Sequence, residues 1–283
     1  MAWQGVFGIM RRMAYRKPFL KWPGGKFRLL ERILPELPAG RRYVEVFSGS
    51  AAVYLNTSAP EALVNDANAD LIALYACLQA EGEDFIRHAS TFFCAENNTE
   101  RAFYALRERF NAAVEPRERA ALFLYLNKHA YNGLIRYNAG GQYNVPFGTY
   151  AAPRFPLEAM RAFRQRTREG GTTFVCRDFR EVLAGAGAGD VVYCDPPYVP
   201  LSATANFTSY AGAVFGKQDQ EDLARLARAA HGRGATVVLS NHDTPLARDL
   251  YADARLLSFD VRRTISCNGR ARRRVPELLA VYC

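Results

Sequence analysis

The chain has 283 residues, 49% of them hydrophobic, and 37 Lys and Arg against 28 Asp and Glu give a formal net charge of +9. Such length and apolar content exclude a wholly disordered chain and predict one or two domains. Uninterrupted apolar runs such as Leu71–Leu78 and Ala120–Leu126 fall far short of the roughly 18 residues of a membrane helix, so no membrane partner is expected.

At the N-terminus, MAWQGVFGIMRRM places its charges after its apolar residues, the reverse of a secretory signal, and Met13 is a candidate later start. Next, Lys21-Trp22-Pro23-Gly24-Gly25-Lys26 precedes an amphipathic stretch with Leu29, Leu30, Ile33 and Leu34 on one helix side. Two glycines and a lysine at a helix start make an anion site. The Walker A spacing is absent, so a small carboxylate fits as well as a phosphate. An exposed turn with a solvated lysine explains these residues almost equally well.

Tyr43–Phe47 reads as a strand ending in Ser48-Gly49-Ser50-Ala51, where backbone can approach a cofactor closely, and a helical stretch is expected after it. Ala62–Asn65 is a second strand, stopped at Asp66, 17 positions after Gly49. That spacing suits an acidic residue accepting from ribose hydroxyls, although Asp66 as a helix cap is the plainer reading. Strand, turn, helix, strand is the opening of a doubly wound sheet.

From about Asp70 to Asn127 the apolar residues recur at helical spacing: Leu71, Leu74, Leu78, then Phe103, Leu106, Phe110, then Leu122 and Leu126. The segment Tyr131–Tyr150, rich in Asn, Gly and Tyr, reads as a hairpin or ordered loop. Arg161, Arg164, Arg166 and Arg168 follow on one predicted helix, a pattern that usually marks a solvated face. Strand signals return at Thr173–Cys176, Val191–Cys194, Thr236–Ser240, Leu256–Val261 and Leu278–Tyr282, with a helix at roughly Asp219–His231. Arg270, Arg272, Arg273 and Arg274 cluster near the C-terminus. The simplest architecture is an α/β sheet domain interrupted by a mostly helical insertion at about 70–155.

Asp195-Pro196-Pro197-Tyr198 directly follows the apolar strand around Val191–Cys194. Ligands of open α/β sheets bind at the carboxyl ends of strands. Two prolines remove N–H donors and leave carbonyl acceptors, so Asp195 and Pro196 make an acceptor-only cradle suited to an –NH₂ group. Tyr198 offers a flat face for stacking a base. A Pro-rich turn capped by Asp195 is the bland alternative.

Six cysteines are widely scattered, none forms C-x-x-C, and there are four histidines. Neither a metal site nor a disulfide scaffold is expected, and the reading is a reduced, intracellular protein. Charge alone divides evenly between an ordinary basic enzyme and a nucleic-acid partner.

K-W-x-G-G-K, a strand-borne F-x-G, an acidic residue at the second strand and D-P-P-Y, in that order, resemble the adenine-N6 DNA methyltransferases. Leu122–Tyr150, Val191–Tyr210 and Ser240-Asn241-His242-Asp243 narrow the resemblance to the bacterial Dam-type enzymes that modify GATC. It covers most of the chain from about Lys17, leaving 1–16 as an extension outside it. The resemblance implies a Rossmann-like S-adenosylmethionine-dependent methyltransferase sheet domain, 17–69 and 156–283. A target-recognition domain, 70–155, is inserted in it.

Residue by residue, the resemblance implies cofactor contacts at Trp22, Lys26, Phe47, Gly49, Asp66 and Asp195, and catalytic roles for Asp195, Pro196 and Tyr198. It places DNA contacts at Lys21, Tyr131, Asn132, Leu134, Arg136, Pro146 and Tyr150. Among these, Arg136 reads guanine and Tyr131 and Asn132 enter the gap left by a flipped base. The bland reading of Tyr131, Tyr143 and Tyr150 is a packed aromatic cluster under a loop. Two departures stand out: Ala51 where the family often has a second glycine, and Thr149 where relatives can carry an arginine.

The implied reaction is methyl transfer from S-adenosylmethionine to adenine N6 in double-stranded DNA, by base flipping and direct in-line displacement, without a metal or an obligate protein partner. The implied location is a bacterial cytoplasm, at the nucleoid. Cytosine-C5 chemistry needs a thiolate, usually in a Pro-Cys step, and this chain has no Pro-Cys. The competing readings are an amino methyltransferase of cytosine N4 or RNA adenine, and a DNA-binding homologue without catalysis.

Overall fold

The computed structural model describes residues 15–199, 209–210, 213–262 and 274–283. Met13, most of the 1–16 extension, Cys267, Arg270, Arg272 and Arg273 lie outside the described residues.

Short apolar runs between turns become the strands of one sheet. They are β1 (Arg42–Glu45), β2 (Glu61–Asn65), β3 (Gly171–Val175), β4 (Asp190–Cys194), β7 (Thr236–His242), β8 (Arg255–Arg262) and β9 (Arg274–Tyr282). A two-stranded ladder, β5 (Ser209–Tyr210) with β6 (Ala213–Val214), stands apart. The seven-stranded order is β3-β2-β1-β4-β7-β9-β8. Strands β3, β2, β1, β4 and β7 pair in parallel, and β9 runs antiparallel to both β7 and β8. All five residues of β4 are buried, as expected of a central parallel strand covered on both faces.

Alternation along each strand sorts the core into two layers. Tyr43, Tyr193 and Val238 join one cluster, while Val44, Val192, Val237 and Leu239 join the other. The second layer holds α7 (Phe179–Ala184), α8 (Lys217–Gly232) and α9 (Pro245–Leu250). The first holds α2 (Ala69–Glu81) and α6 (Leu157–Arg168) against the sheet. It continues without a break into α3 (Glu83–Ser90), α4 (Glu100–Ala112) and α5 (Pro116–His129). The helical region therefore shares its core with the sheet.

Three local expectations need correction. The helical stretch after Ala51 is a single 3₁₀ turn, Tyr54–Asn56, because the Asn56 side chain turns back onto the Ala52 carbonyl and the chain enters β2 at Glu61. The amphipathic stretch after Lys26 is a 3₁₀ turn, then α1 (Leu30–Ile33), then a second 3₁₀ turn containing Pro35. Leu30 and Ile33 are buried there, while Leu29 and Leu34 are only half-buried. Finally, the arginine run of α6 is no uniform solvated face. Arg166 is 2% exposed, its guanidinium lies 4.8 Å from the Tyr54 ring centroid, and Arg161 pairs with Glu83 at 3.1 Å.

Candidate active site

The strand order reverses between β1 and β4, so the loops leaving these strands diverge and open a crevice at their carboxyl ends. Asp195 sits there, one residue past β4. Its Oδ1 takes the Lys26 ammonium at 2.8 Å and the Ser240 hydroxyl at 2.8 Å. Lys26 Nζ also donates to the Gly24 carbonyl at 2.9 Å and lies 4.7 Å from the Tyr198 ring centroid. The glycine loop therefore folds the lysine into the site, leaving it 6% exposed, rather than presenting it to solvent.

Behind the D-P-P-Y step the backbone is tied down on every side. Gln220 Nε2 donates to the Pro197 carbonyl at 2.7 Å, and Val199 N donates to Asn241 Oδ1 at 3.0 Å. The Tyr198 hydroxyl donates to Glu277 at 3.2 Å, and its ring meets His242 edge-on at 4.7 Å. Burial, with Asp195 and Glu277 nearby, raises the Tyr198 phenol well above its ordinary range, so it stays protonated. No described residue donates a hydrogen bond to Asp195 Oδ2 or to the Pro196 carbonyl. Among the described residues, two acceptors on a braced backbone thus remain for an incoming donor.

The loop after β1 lies against the K-W-x-G-G-K loop. Gly49 has φ +46°, and a Cβ there would fall 2.6 Å from Trp22 Nε1, so both its conformation and the indole require glycine. Asp66 accepts from Gly49 N and Asn68 N, both at 2.9 Å. Burial pushes its carboxyl up to about 6, against the pull of those two N–H groups. Glu45, also buried, accepts from the Tyr43 hydroxyl at 3.1 Å and Tyr54 N at 2.8 Å. Burial, reinforced by Asp195 and Asp66, pushes Glu45 up to about 8.

Phe47 meets Phe179 and Phe215 at 5.7 and 5.8 Å between centroids, an aromatic wall beside the same loop. The Ser48 hydroxyl is buried with no partner among the described residues. An enclosed cation, a carboxylate at the second strand end, an aromatic wall and an orphaned hydroxyl form a donor set that fits an amino-acid-bearing nucleoside.

The segment after α5 folds as a 3₁₀ turn, Tyr131–Gly133, and a narrow loop closed by single bridges Ala130↔Phe147 and Tyr137↔Tyr143. Tyr131 is 54% exposed and its N–H donates to Pro146 O at 2.9 Å. Asn132 has φ +53° and is exposed, as are Arg136 and Pro146, while Leu134 is half-buried. Arg136 donates from Nε to Asn144 Oδ1 at 2.7 Å and from Nη2 to Asn144 O at 3.2 Å, so Nη1 is the guanidinium nitrogen that no described residue engages. Lys21 Nζ sits 3.8 Å from the Tyr150 ring centroid and donates to Lys128 O at 3.1 Å. Burial lowers Lys21, and burial with Lys21 nearby lowers Lys128 to about 8. The three tyrosines divide: Tyr143 is packed, Tyr131 points out, and Tyr150 carries a lysine.

The sequence pattern of the D12 class of N6 adenine-specific DNA methyltransferases matches residues 22–265. The chain belongs to that class. It is 49% identical to the DNA adenine methylase of Serratia marcescens over 271 residues, covering 95% of this chain and 100% of that protein. It is 44% identical to the DNA adenine methylase of Escherichia coli strain K12 over 270 residues, covering 95% and 96%. Identity to the DNA adenine methylase of Vibrio cholerae is also 44%, over 271 residues, covering 95% and 97%.

As an adenine-specific DNA methyltransferase with a Rossmann-like sheet, the protein has DNA as its substrate and methyl transfer as its reaction. Trp22, Lys26, Gly49, Asp66, Asp195, Pro196 and Tyr198 gather at the carboxyl ends of β1, β2 and β4, with Phe47 on the flanking wall. Lys21, Tyr131, Asn132, Leu134, Arg136, Pro146 and Tyr150 lie on or beside the loop after α5, and Lys21 joins it to the glycine loop. Sequence reading missed Ser240, Glu277, Phe179, Phe215 and Glu45 as site residues. Of these, Ser240 and Glu45 carried a signal: polar residues inside strands otherwise apolar. Among the described residues no group of His, Cys, Asp and Glu could hold a metal ion, and no helix is long and apolar enough to cross a membrane. Cys194 is fully buried, and that burial raises its thiol, favouring the neutral form.

Proposed function

We propose that the protein methylates adenine N6 within GATC in double-stranded DNA, using S-adenosylmethionine, after the target base leaves the duplex. The supporting observation is the arrangement at Asp195. Oδ1 is fixed by Lys26 and Ser240, while Oδ2 and the Pro196 carbonyl remain as acceptors on a braced turn.

N6 lies within the base pair, so the adenine must swing out to reach this site. Tyr198, held by Glu277 and His242, stacks on the extruded ring. Asp195 and the Pro196 carbonyl accept the two N6–H bonds, which draws electron density from the ring back onto nitrogen and orients its lone pair. S-adenosylmethionine, when bound, would supply an electrophilic methyl group: the N6–CH3 bond forms as the S–CH3 bond breaks, S-adenosylhomocysteine is the leaving group, and N6 gives up one of its two protons. Lys26, Asp66, the Ser48 hydroxyl and the Phe47–Phe179–Phe215 wall hold the cofactor. The contribution of the protein is orientation and preplaced charge.

On the DNA side, Tyr131 and Asn132 fill the gap, the exposed Arg136 guanidinium reads guanine, and Leu134 and Pro146 lie against a thymine methyl. Lys21 and Tyr150 approach an outer base pair together. The 70–155 segment is the target-recognition region of an enzyme working in the bacterial cytoplasm.

Transfer of labelled methyl from S-adenosylmethionine to two duplexes, identical except for one GATC against GTTC, tests the reading. Label on adenine N6 only in the GATC duplex is expected. Label in both overturns the specificity. No label in either, with DNA still bound, overturns the catalytic assignment. Asp195→Ala should abolish transfer while DNA binding persists.

A further inference from the structure

We infer that Tyr137 is a positioning residue for target readout, pinning the base-reading loop to the cofactor end of α2. This rests on the reading of Arg136 as base reader and Asp66 as cofactor residue.

Neighbouring residues of an extended chain point to opposite sides. Arg136 faces outward and is exposed, whereas Tyr137 turns inward and is half-buried. Its hydroxyl donates to Asp70 Oδ2 at 2.6 Å, across 67 residues of chain. Asp70 lies in the first turn of α2. It is itself held by Arg119, whose Nη2 reaches Oδ2 at 3.2 Å and whose Nη1 donates to Phe110 O at 2.9 Å.

The other end of this contact leads to the loop after β1. Asn68 caps α2 by accepting from Leu71 N at 3.0 Å, and its own N–H donates to Asp66 Oδ1 at 2.9 Å. Asp66 Oδ2 in turn holds Gly49 N. Hydrogen bonds joined through the backbone of the first turn of α2 therefore connect Gly49, Asp66, Asn68, Asp70 and Tyr137, ending one residue from Arg136. Burial and the Asp70 carboxylate keep the Tyr137 phenol protonated, so its hydrogen stays on the Asp70 bond.

The consequence is mutual. A cofactor that orders Asp66 and the start of α2 also fixes where Tyr137, and so Arg136, can stand. By linkage, correctly read DNA must tighten the cofactor by the same factor. Tyr143 gives a contrast: its ring meets that of Tyr137 at 5.9 Å between centroids, but its hydroxyl donates to the Leu134 carbonyl at 2.9 Å, a bond inside the loop.

The test measures affinity, without turnover, for a GATC duplex and for duplexes with each base pair replaced in turn. Each titration is run with and without saturating S-adenosylhomocysteine. The pair read by Arg136 is the one where Arg136→Ala loses discrimination. In the wild type, S-adenosylhomocysteine should raise discrimination at that pair about tenfold, or about 1.4 kcal/mol. Tyr137→Phe should lose most of that gain, and the GATC duplex should no longer tighten its S-adenosylhomocysteine binding. Its affinity for S-adenosylhomocysteine alone should stay within about twofold of wild type. Tyr143→Phe should keep the gain. A gain retained in Tyr137→Phe, or lost equally in Tyr143→Phe, overturns the inference.

Hydrogen exchange on the wild type gives an arm independent of variant folding. S-adenosylhomocysteine should slow exchange across residues 134–145, and unchanged exchange there also overturns the inference. A wild type that binds no S-adenosylhomocysteine, or does not prefer GATC, instead overturns the underlying reading, and the inference falls with it.

Discussion

Ser240 Oγ lies 2.8 Å from Asp195 Oδ1, and the two residues belong to the neighbouring parallel strands β7 and β4, Asp195 just past the end of its strand. Ser240 Oγ also lies 3.1 Å from the Tyr193 hydroxyl. With Ser240 donating to the carboxylate, the Tyr193 phenol donates to Ser240, so a buried relay of dipoles points at the Asp195 carboxylate.

Ser240→Ala should therefore slow methyl transfer without removing DNA binding. A hydrogen bond to a charged group is worth about 1.5–3 kcal/mol, which predicts roughly a tenfold to hundredfold fall in rate. Single-turnover transfer at saturating DNA and methyl donor is the measurement. An unchanged rate would show that Lys26 alone orients Asp195.

Ala51 is fully buried at φ +56°, a conformation that costs an L-residue about 1–2 kcal/mol. Ala51→Gly removes that strain but adds about 0.4–1 kcal/mol of unfolded-chain entropy. The net expectation is a small gain, raising Tm by about 1–4 °C for a chain of this size. A calorimetric scan decides it. A lower Tm would mean the buried methyl packs better than the strain costs.

Glu45 has its carboxyl pushed up to about 8 by burial, against an ordinary value of 4.5. The folded protein then binds the proton more tightly than the unfolded chain, so this group's contribution is full below pH 4.5 and is lost as pH rises through 8. Glu45→Gln keeps an acceptor for Tyr43 and Tyr54 without the titration. Its stability relative to wild type should improve steadily from pH 5 to pH 8, as read by urea unfolding. A pH-independent difference would show that Glu45 is ionised in the fold.

Arg136→Ala should cost about 1–3 kcal/mol of discrimination at one base pair. Arg136→Lys should recover little of it, because a point charge cannot reproduce a fork pinned by Asn144. Competition between duplexes reads both variants. Equal specificity in wild type and Arg136→Ala would remove Arg136 from readout.

Replacing all six cysteines with serine should leave transfer within a few-fold of wild type, provided the variant folds. Complete loss in a folded variant would point to a thiol in the chemistry.

Much of the sheet was legible in the chain. Central parallel strands are short apolar runs, and β4 and β7 announce themselves between turn residues. The D-P-P-Y step ends one of them, so Asp195 had to stand at a strand's carboxyl end. The helices after Asp66 follow from apolar spacing, whereas their caps, Asn68, Thr99 and Glu115, emerged only with the structure. The short turn at Tyr54–Asn56 was less legible, because its length is set by the distance the chain must cover before β2.

By itself, then, the sequence determined which residue types stand at strand ends and that the region from about Asp70 to Asn127 is helical, because burial periodicity and turn chemistry are local. Only the tertiary structure decided the partners. Lys26 faces Asp195 because the strand order reverses between β1 and β4, and Ser240 reaches Asp195 because β7 pairs with β4. Tyr137 meets Asp70 because α2 and α5 share one core with the sheet. Such pairings depend on which elements become neighbours in space, and no spacing within a single segment encodes that.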